Sequence, residues 1–402
     1  GIGKFEEFSW KQVMDFDACT RCGRCQAACP ASQTDKALSP KMIEVKLQDY
    51  SKQYLIPVLP FMKVTPNADS KSIHGDIISA QELWDCTSCM ACVQACPVGI
   101  DQLSTIIDLR RYLTLTEGAP QPPSDRAMSS MERQGNPYGL PKAARWDAIK
   151  ELGVEFAQPG VEYDILYWVG CAGAYDSRNQ KVTRAMVKIL KASGMKFAVM
   201  QAERCNCESA RRLGNEYLYQ MATMENVENL SALSFKRIVT QCPHCFNTLQ
   251  NEYPQFGGNY KVLHHTQLID VLIGTGRIKP KQTVSETITY HDSCYLGRYN
   301  GIYDPQRAIL NALGADGNYV EMERSREKGL CCGGGGGRMW LEENTGTRIN
   351  NLRIQDVIDV KAKTVASACP FCMTMLEDGA KAKGVDEELK RRDIAELVAD
   401  AL

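Results

Sequence analysis

Eighteen cysteines occur in this chain of 402 residues, and each belongs to a recognisable motif. A secreted disulfide scaffold is normally small, with cysteines spread through its loops. The pattern here belongs instead to a reducing compartment and to metal binding. The densest motifs stand near the N-terminus. "CTRCGRCQAACP" supplies Cys19, Cys22, Cys25 and Cys29 before Pro30, and "CTSCMACVQACP" supplies Cys86, Cys89, Cys92 and Cys96 before Pro97. Both read C-x2-C-x2-C-x3-C-P, the run that holds [4Fe–4S] clusters, with the fourth cysteine ligating the other cluster. The expected ligand sets therefore cross: Cys19, Cys22, Cys25 and Cys96 on one cluster, and Cys86, Cys89, Cys92 and Cys29 on the other. Structural zinc favours two well-separated pairs of ligands and fits this spacing less well.

The two runs begin at Cys19 and Cys86, with far more chain between them than a compact two-cluster ferredoxin needs. The intervening "LSPKMIEVKLQDYSKQYL" and "GDIISAQELWD", and the later "DQLSTIIDLRRYLTLTEG", space their apolar residues as helices do. Residues 1–118 thus read as an all-helical ferredoxin-like domain with two [4Fe–4S] clusters. Arg110 and Arg111 read as a solvated helix face, the usual place for surface charge. "EGAPQPPSDRAMSSMERQGNPYGLPKAARW" carries five prolines in 30 residues and marks a linker over 119–160.

The remaining ten cysteines form two matching sets. Cys171, Cys205, Cys207, Cys242 and Cys245 are followed by Cys294, Cys331, Cys332, Cys369 and Cys372. Counterparts are separated by 123 (Cys171 and Cys294), 126 (Cys205 and Cys331) and 127 (Cys242 and Cys369) residues, which argues for duplication. "YDILYWVG" leads into Cys171 and "ETITYHDS" into Cys294; "RIVTQ" leads into "CPHC" and "TVASA" into "CPFC". Each is a short β-rich run ending at a cysteine, and helical stretches follow. Strand–cysteine–helix units imply α/β domains with mostly parallel sheets, here over 161–281 and 282–402. The thiolates then lie at the carboxyl ends of the strands and at helix N-termini, where free N–H groups favour negative charge. The fold class expected is α + α/β.

"GLCCGGGGGRMW" sets two adjacent cysteines against five glycines. Adjacent thiolates do not easily meet at one metal ion but suit neighbouring irons of a cluster. Glycines there, Gly333 and Gly334 first, let the backbone approach the cluster and donate N–H groups to its sulfurs. A dinucleotide-binding loop needs a strand directly before it and an acidic residue beyond, and is disfavoured by the cysteines. No G-K-[ST] follows, which excludes a phosphate-binding loop of that kind.

A net charge of −1 implies no broad attraction to nucleic acid or anionic lipid. No apolar run of 18 residues is present, so a membrane span is not expected within these residues. The chain opens on Gly1 rather than Met, as a processed chain or a piece of a longer polypeptide does.

The paired cysteine sets resemble the domain of the heterodisulfide reductase catalytic subunit and its relatives. The similarity rests on "DFDACTRCGRCQAACPA", "LWDCTSCMACVQACPVGID", "ERQGNPYGLP", "CPHCFNTLQNEYPQFGGNY", "YHDSCYLGRYNGIYD" and "CCGGGGGRMWLEE". It is strongest toward the iron–sulfur part of membrane-bound electron-transfer-flavoprotein:menaquinone oxidoreductases. The resemblance implies a noncubane [4Fe–4S] cluster on Cys294, Cys331, Cys332, Cys369 and Cys372, which would be the catalytic set. In the first repeat "ERCNCESARRLGNE" interrupts the motif, because Asn206 replaces the second cysteine and Cys207 stands where glycine is expected. An ordinary cube on Cys171, Cys205, Cys242 and Cys245 is expected there, with Cys207 either a fifth ligand or a bystander thiol. His244 and His291 lie beside ligands and are candidates for hydrogen bonds to the clusters; a purely structural role is the plainer reading. His264 and His265 have no motif context beyond the resemblance, and His74 reads as a loop residue.

The resemblance further implies an oxidoreductase carrying electrons between a flavoprotein and a haem b and menaquinone module, held at the cytoplasmic face of the membrane by a membrane partner or a further domain. The alternative it leaves open is reduction of a heterodisulfide or trisulfide on a thiol carrier.

Overall fold

Short capped helices dominate the N-terminal third. In the computed structural model, which describes residues 1–54 and 71–402, α1 (Trp10–Ala18) starts where the Ser9 side chain accepts a hydrogen bond from the Gln12 N–H, with Gln12 reaching back. α2 (Arg24–Ala28) carries Cys25, and α3 (Pro40–Tyr54) fills most of the helix expected at 38–55, whose last residue lies outside the described residues. α4 (Ala80–Trp84) repeats the α1 cap with Ser79 and Glu82. α5 (Ala91–Ala95) carries Cys92, and Asp101 caps α6 (Gln102–Leu115) by accepting from Leu103 and Ser104. These elements belong to one unit, Gly1–Ser124, which also recruits Ser209–Glu216 and Gly335–Ile349. Those two distant segments are counterparts: each follows the central cysteines of its own repeat.

The second unit comprises Asp125–Glu208, Tyr217–Gly334 and Asn350–Leu402. The stretch expected as a linker over 119–160 holds a helix, α7 (Pro122–Gln134), and most of it belongs to this unit. Proline at the first helical position has no N–H to lose and a φ already suited to the helix, so the prolines here open a helix as well as mark a boundary.

The first repeat runs β1 (Glu162–Trp168), α8 (Gly170–Tyr175), α9 (Ser177–Ala192), β2 (Phe197–Ala198), α10 (Glu208–Arg212), α11 (Glu216–Ser231), β3 (Ser234–Thr240), α12 (Pro243–Asn247), β4 (Val262–His264) and α13 (His265–Gly274). Its strands form a parallel sheet in the order β2-β1-β3-β4. The second repeat runs β5 (Ile288–Tyr290), α14 (Gly297–Asn300), α15 (Asp304–Ala312), α16 (Ile349–Asp359), β6 (Thr364–Ser367), α17 (Pro370–Ala382), β7 (Lys390–Asp393) and α18 (Ile394–Ala401). Its parallel sheet has the order β5-β6-β7. Parallel strands must be buried on both faces. Accordingly Ile165, Leu166, Ile238 and Val239 of the first sheet and Val365 and Ala366 of the second are fully buried. Met322, Ile354, Val357, Leu376 and Leu389 close over Val365 as one apolar cluster.

The parallel arrangement brings the cysteines to the carboxyl ends of the strands. Cys171 follows β1 and Cys242 follows β3; Cys294 follows β5 and Cys369 follows β6. Cys242 and Cys369 occupy equivalent caps, each directly before the proline that opens α12 or α17.

Candidate metal centres

In the first unit Cys19, Cys22, Cys25 and Cys96 line one pocket, together with Arg21, Gly23, Lys41 and Ile100. Burial pushes the Cys25 thiol up to about 11, and the charges of Cys19, Cys96 and Cys22 push the same way. Burial likewise pushes Cys29 up to about 12, with Cys89 and Cys86 as its charged neighbours. Each motif's fourth cysteine thus lies with the first three of the other motif.

The loops that do this match. Arg21 and Gly23 flank Cys22 with φ of 56° and 82°, and Ser88 and Met90 flank Cys89 with φ of 46° and 59°. Left-handed residues on both sides of the middle cysteine turn backbone N–H groups inward. The Ser88 N–H donates to Cys86 Sγ at 3.3 Å and the Ile100 N–H to Cys96 Sγ at 3.4 Å.

Arg110 departs from the sequence reading. It is fully buried rather than solvated. Its guanidinium donates to Leu83 O (3.0 and 2.6 Å), Cys86 O (2.7 Å), Arg212 O (2.9 Å) and Gly336 O (2.9 Å). The planar fork stacks on Trp84 at 5.2 Å. One arginine therefore joins the second cysteine run to both recruited segments. Arg111 pairs with Asp108 and Glu216.

The five glycines divide into two jobs. The Gly333 N–H donates to Cys331 Sγ at 3.3 Å, and the Gly334 N–H serves Cys332. The rest face protein. A Cβ on Gly335 would stand 2.4 Å from Thr87 O, and one on Gly336 would stand 2.6 Å from Cys86 O. Backbone approach to the Cys86 run, not to a cluster, is what excludes side chains at 335 and 336.

In the second unit the first-repeat thiols converge. Cys171 faces Cys205 and Cys242, and Cys245 faces Cys242, Cys171 and Cys205. Gly170, at φ 74°, lets Cys245 Sγ come to 3.4 Å of where a Cβ would be. Buried Glu203 accepts from the Val169 and Gly170 N–H groups at 3.0 and 2.8 Å and pairs with Arg145 at 2.7 Å, which fixes the start of α8.

Cys207 keeps the backbone of the residue it replaces. Its φ is +55°, Gly333 sits at +98°, and the Cys207 N–H donates to Cys205 Sγ at 3.4 Å as its counterpart does to Cys331. Its own thiol is fully buried against Cys205, bonded to the Cys205 thiol and 3.6 Å from Cys205 O.

In the second repeat Cys332 bonds to Cys331 and Cys372, and all five cysteines are buried. A ring nitrogen of His291, Cys332 Sγ and Cys372 Sγ lie within 4.8 Å of one another. His291 Nδ1 accepts from Arg353 Nε at 2.9 Å. Burial, helped by the Arg353 charge, pushes His291 down to about 3, so its ring is neutral at physiological pH.

His244 lies between the repeats' C-P-x-C turns. Its Nδ1 is 3.9 Å from Cys242 Sγ and 3.8 Å from Cys369 Sγ. Burial opposes ionisation of both thiols, yet hydrogen bonds from Cys245 and His244 bring Cys242 down to about 5, and those from Cys372 and His244 bring Cys369 down to about 6. His264 and His265 form a buried chain missed by sequence reasoning: His265 spans His264 Nε2 at 3.2 Å and Asp393 Oδ1 at 3.0 Å, the matching helix caps of the two repeats. His74 is buried and stacks on Tyr112 at 5.0 Å.

The donor set suits iron–sulfur clusters. Thiols are gathered in groups of four, many are too buried to hold a negative charge unaided, and metal binding would take their protons. Among the described residues, Asn206 Nδ2, His244 Nε2 and Ser293 Oγ are buried here without a partner, as groups beside a cluster's inorganic sulfurs would be.

Comparison with known proteins agrees. Residues 15–100 match the 4Fe-4S dicluster domain family, and residues 165–250 and 288–377 match the cysteine-rich domain family. Over its whole length the chain is 41% identical to a Bacillus subtilis protein named "Probable iron-sulfur-binding oxidoreductase FadF", covering 62% of that protein. It is 38% identical over its whole length to the "EtfAB:quinone oxidoreductase" of Syntrophomonas wolfei, covering 60% of it. The dihydromethanophenazine:CoB--CoM heterodisulfide reductase of Methanosarcina barkeri contributes a further relative, one of its component polypeptides, 30% identical over 97% of this chain and 95% of its own. The chain belongs to this family of iron–sulfur oxidoreductases, built from a [4Fe–4S] dicluster domain and two cysteine-rich domains. It spans about three-fifths of the length of the first two relatives.

Proposed function

We propose that this chain is the iron–sulfur relay of an oxidoreductase that passes electrons between an electron-transfer flavoprotein and a membrane haem b and quinone module. When bound, each cluster would take up and release single electrons. Cys19, Cys22, Cys25 and Cys96 would hold one, and Cys86, Cys89, Cys92 and Cys29 a second. Cys171, Cys205, Cys242 and Cys245 would hold a third as an ordinary cube. Cys294, Cys331, Cys332, Cys369 and Cys372 would hold a noncubane cluster and form the reactive end of the relay.

The observation that carries this reading is the inequality of the two repeats. Cys207 preserves the backbone of the intact motif and its thiol bonds to the thiol and carbonyl of Cys205, whereas Cys171, Cys205, Cys242 and Cys245 face one another, which supports a four-thiol site in the first repeat. A relay site needs no open position, and four thiolates close one. The chain's own residues supply the rest: N–H groups of Ser88, Ile100, Cys207 and Gly333 favour sulfur charge, and burial excludes water. Among the described residues no helix is long and apolar enough to cross a membrane. In the proposed relay the quinone site would lie on a membrane partner or a further domain, at the cytoplasmic face.

Reduced electron-transfer flavoprotein, mixed with the anaerobically purified full-length protein in membranes, should bleach the cluster absorbance and reduce added menaquinone. Bleaching without quinone reduction, restored by a mixed disulfide of a thiol carrier, would favour the second reading. That reading, a component of a heterodisulfide reductase, draws on the intact five-cysteine set and the near end-to-end match to the Methanosarcina barkeri polypeptide.

A further inference from the structure

We propose that His244 is the coupling residue between the two cysteine-rich repeats: a single imidazole that hydrogen-bonds a ligand of each cluster and ties their reduction together. The inference rests on the cluster assignment above.

The geometry is specific. His244 belongs by sequence to the first repeat, inside "CPHC". Its Nδ1 nonetheless stands as near to Cys369 Sγ, at 3.8 Å, as to its own repeat's Cys242 Sγ, at 3.9 Å. The two sulfurs are therefore no more than 7.7 Å apart, the sum of those distances. Both cysteines cap helices that open with proline, and the one ring reaches the sulfur of each cap. The ring is clamped by Tyr295, with centroids 4.1 Å apart, and by Phe371, at 4.9 Å. Phe371 is the repeat counterpart of His244, so position x of C-P-x-C is polar on one side and apolar on the other. The second repeat thus receives from the first a donor that it does not supply itself.

Nδ1 carries the hydrogen in this arrangement, because both of its neighbours are thiolate ligands that can only accept. One N–H shared between ligands of two anionic sites does two things. It lowers the cost of adding an electron to either, since a donor to a ligating sulfur favours the more negative state. It also replaces a gap between the ligands with a continuous hydrogen-bonded contact. With a cluster bound in each repeat, one electron supplied by the flavoprotein would pass between them, while the His244 N–H stays on the ligands Cys242 and Cys369. No covalent bond changes and no proton leaves His244.

The test is a reductive titration of the full-length protein with dithionite, followed by the electron paramagnetic resonance of each cluster. It needs neither flavoprotein nor quinone, so failure of the proposed electron partners and failure of this coupling are told apart. His244→Phe, which makes both turns C-P-F-C, should keep the iron content. It should shift the reduced-to-oxidised ratio at a fixed solution potential about tenfold toward oxidised, equivalent to ~59 mV, for the clusters of both repeats. His244→Asn, whose amide N–H takes the Nδ1 position, should restore most of the shift. If only the first-repeat signal moves, or neither moves by as much as twofold, His244 serves its own turn alone and the proposal fails. Should the Phe variant lose iron, His244→Gln replaces it, because its amide reaches past the Nδ1 position. Against His244→Asn, a shift of both signals supports the coupling, and a shift of one or none overturns it.

Discussion

Replacing Arg110 by methionine removes five hydrogen bonds and leaves the stem to pack on Trp84. Four buried carbonyls, those of Leu83, Cys86, Arg212 and Gly336, then lose a charged donor. A hydrogen bond is worth roughly 1 kcal/mol net, and more when its donor is charged. Counting about 1 kcal/mol for each carbonyl, of which Leu83 O keeps a bond from the Cys86 N–H, the loss is about 4 kcal/mol, against a typical total of about 5–15 kcal/mol for a domain. Arg110→Lys keeps the charge but presents a compact ammonium in place of a flat fork, so it would reach some acceptors and not all. A loss of about 2 kcal/mol is expected for it on the same scale. The assay is urea unfolding of the iron-loaded protein, with cluster absorbance and tryptophan fluorescence recorded together. Methionine should lower the midpoint most and lysine about half as much, and the cluster of Cys86, Cys89, Cys92 and Cys29 should be released first. A methionine variant within about 1 kcal/mol of the parent would refute it, because the four carbonyls would then not depend on this side chain.

Four further outcomes are expected. Anaerobically purified protein should contain about 16 irons per chain, from four four-iron clusters; about 8 would leave one unit unloaded. Cys96→Ser should disturb the resonance of the cluster that includes Cys19, Cys22 and Cys25, whose cavity Cys96 shares, and spare the other. Cys207→Ala should leave all iron in place, whereas Cys332→Ser should abolish the second-repeat signal and turnover. Glu44 is buried with both carboxylate oxygens unpartnered, and burial, with Asp15 and Asp101 nearby, pushes it up to about 8 from 4.5. A carboxyl raised on folding contributes nothing unfavourable below pH 4.5 and costs stability progressively as pH rises to about 8, at most about 1.4 kcal/mol per pH unit. Thermal midpoints measured from pH 5 to 8 should fall in the parent and flatten in Glu44→Gln.

The chemistry was written locally and the architecture at a distance. Cysteine spacing and the strand runs ahead of Cys171, Cys242, Cys294 and Cys369 are short-range signals, and the structure has each strand and turn in that place. Arg110 misled because a helix surface cannot declare what covers it, and its cover comes from residues 102 and 226 positions further on. The glycine run misled for the same reason: the atoms that exclude Cβ at Gly335 and Gly336 belong to Thr87 and Cys86. Prolines at 122 and 123 look like a break until the helix they open is seen. His244 sits in a motif that names its near neighbour, Cys242, but nothing in "CPHC" points to Cys369.

The recruitment of residues 209–216 and 335–349 into the N-terminal unit has a consequence for biogenesis. A unit whose parts are so separated along the chain cannot close while the ribosome is still in the middle of the message. Arg110 waits for Gly336, and Lys36 waits for Glu343, its buried partner at 2.9 Å. The two cysteine runs that leave the ribosome first are thus among the last to be sealed, so their iron can be installed before the unit closes over it. A truncated chain ending before residue 335 would expose the Cys86 run and should be degraded in the cell rather than accumulate as a small ferredoxin.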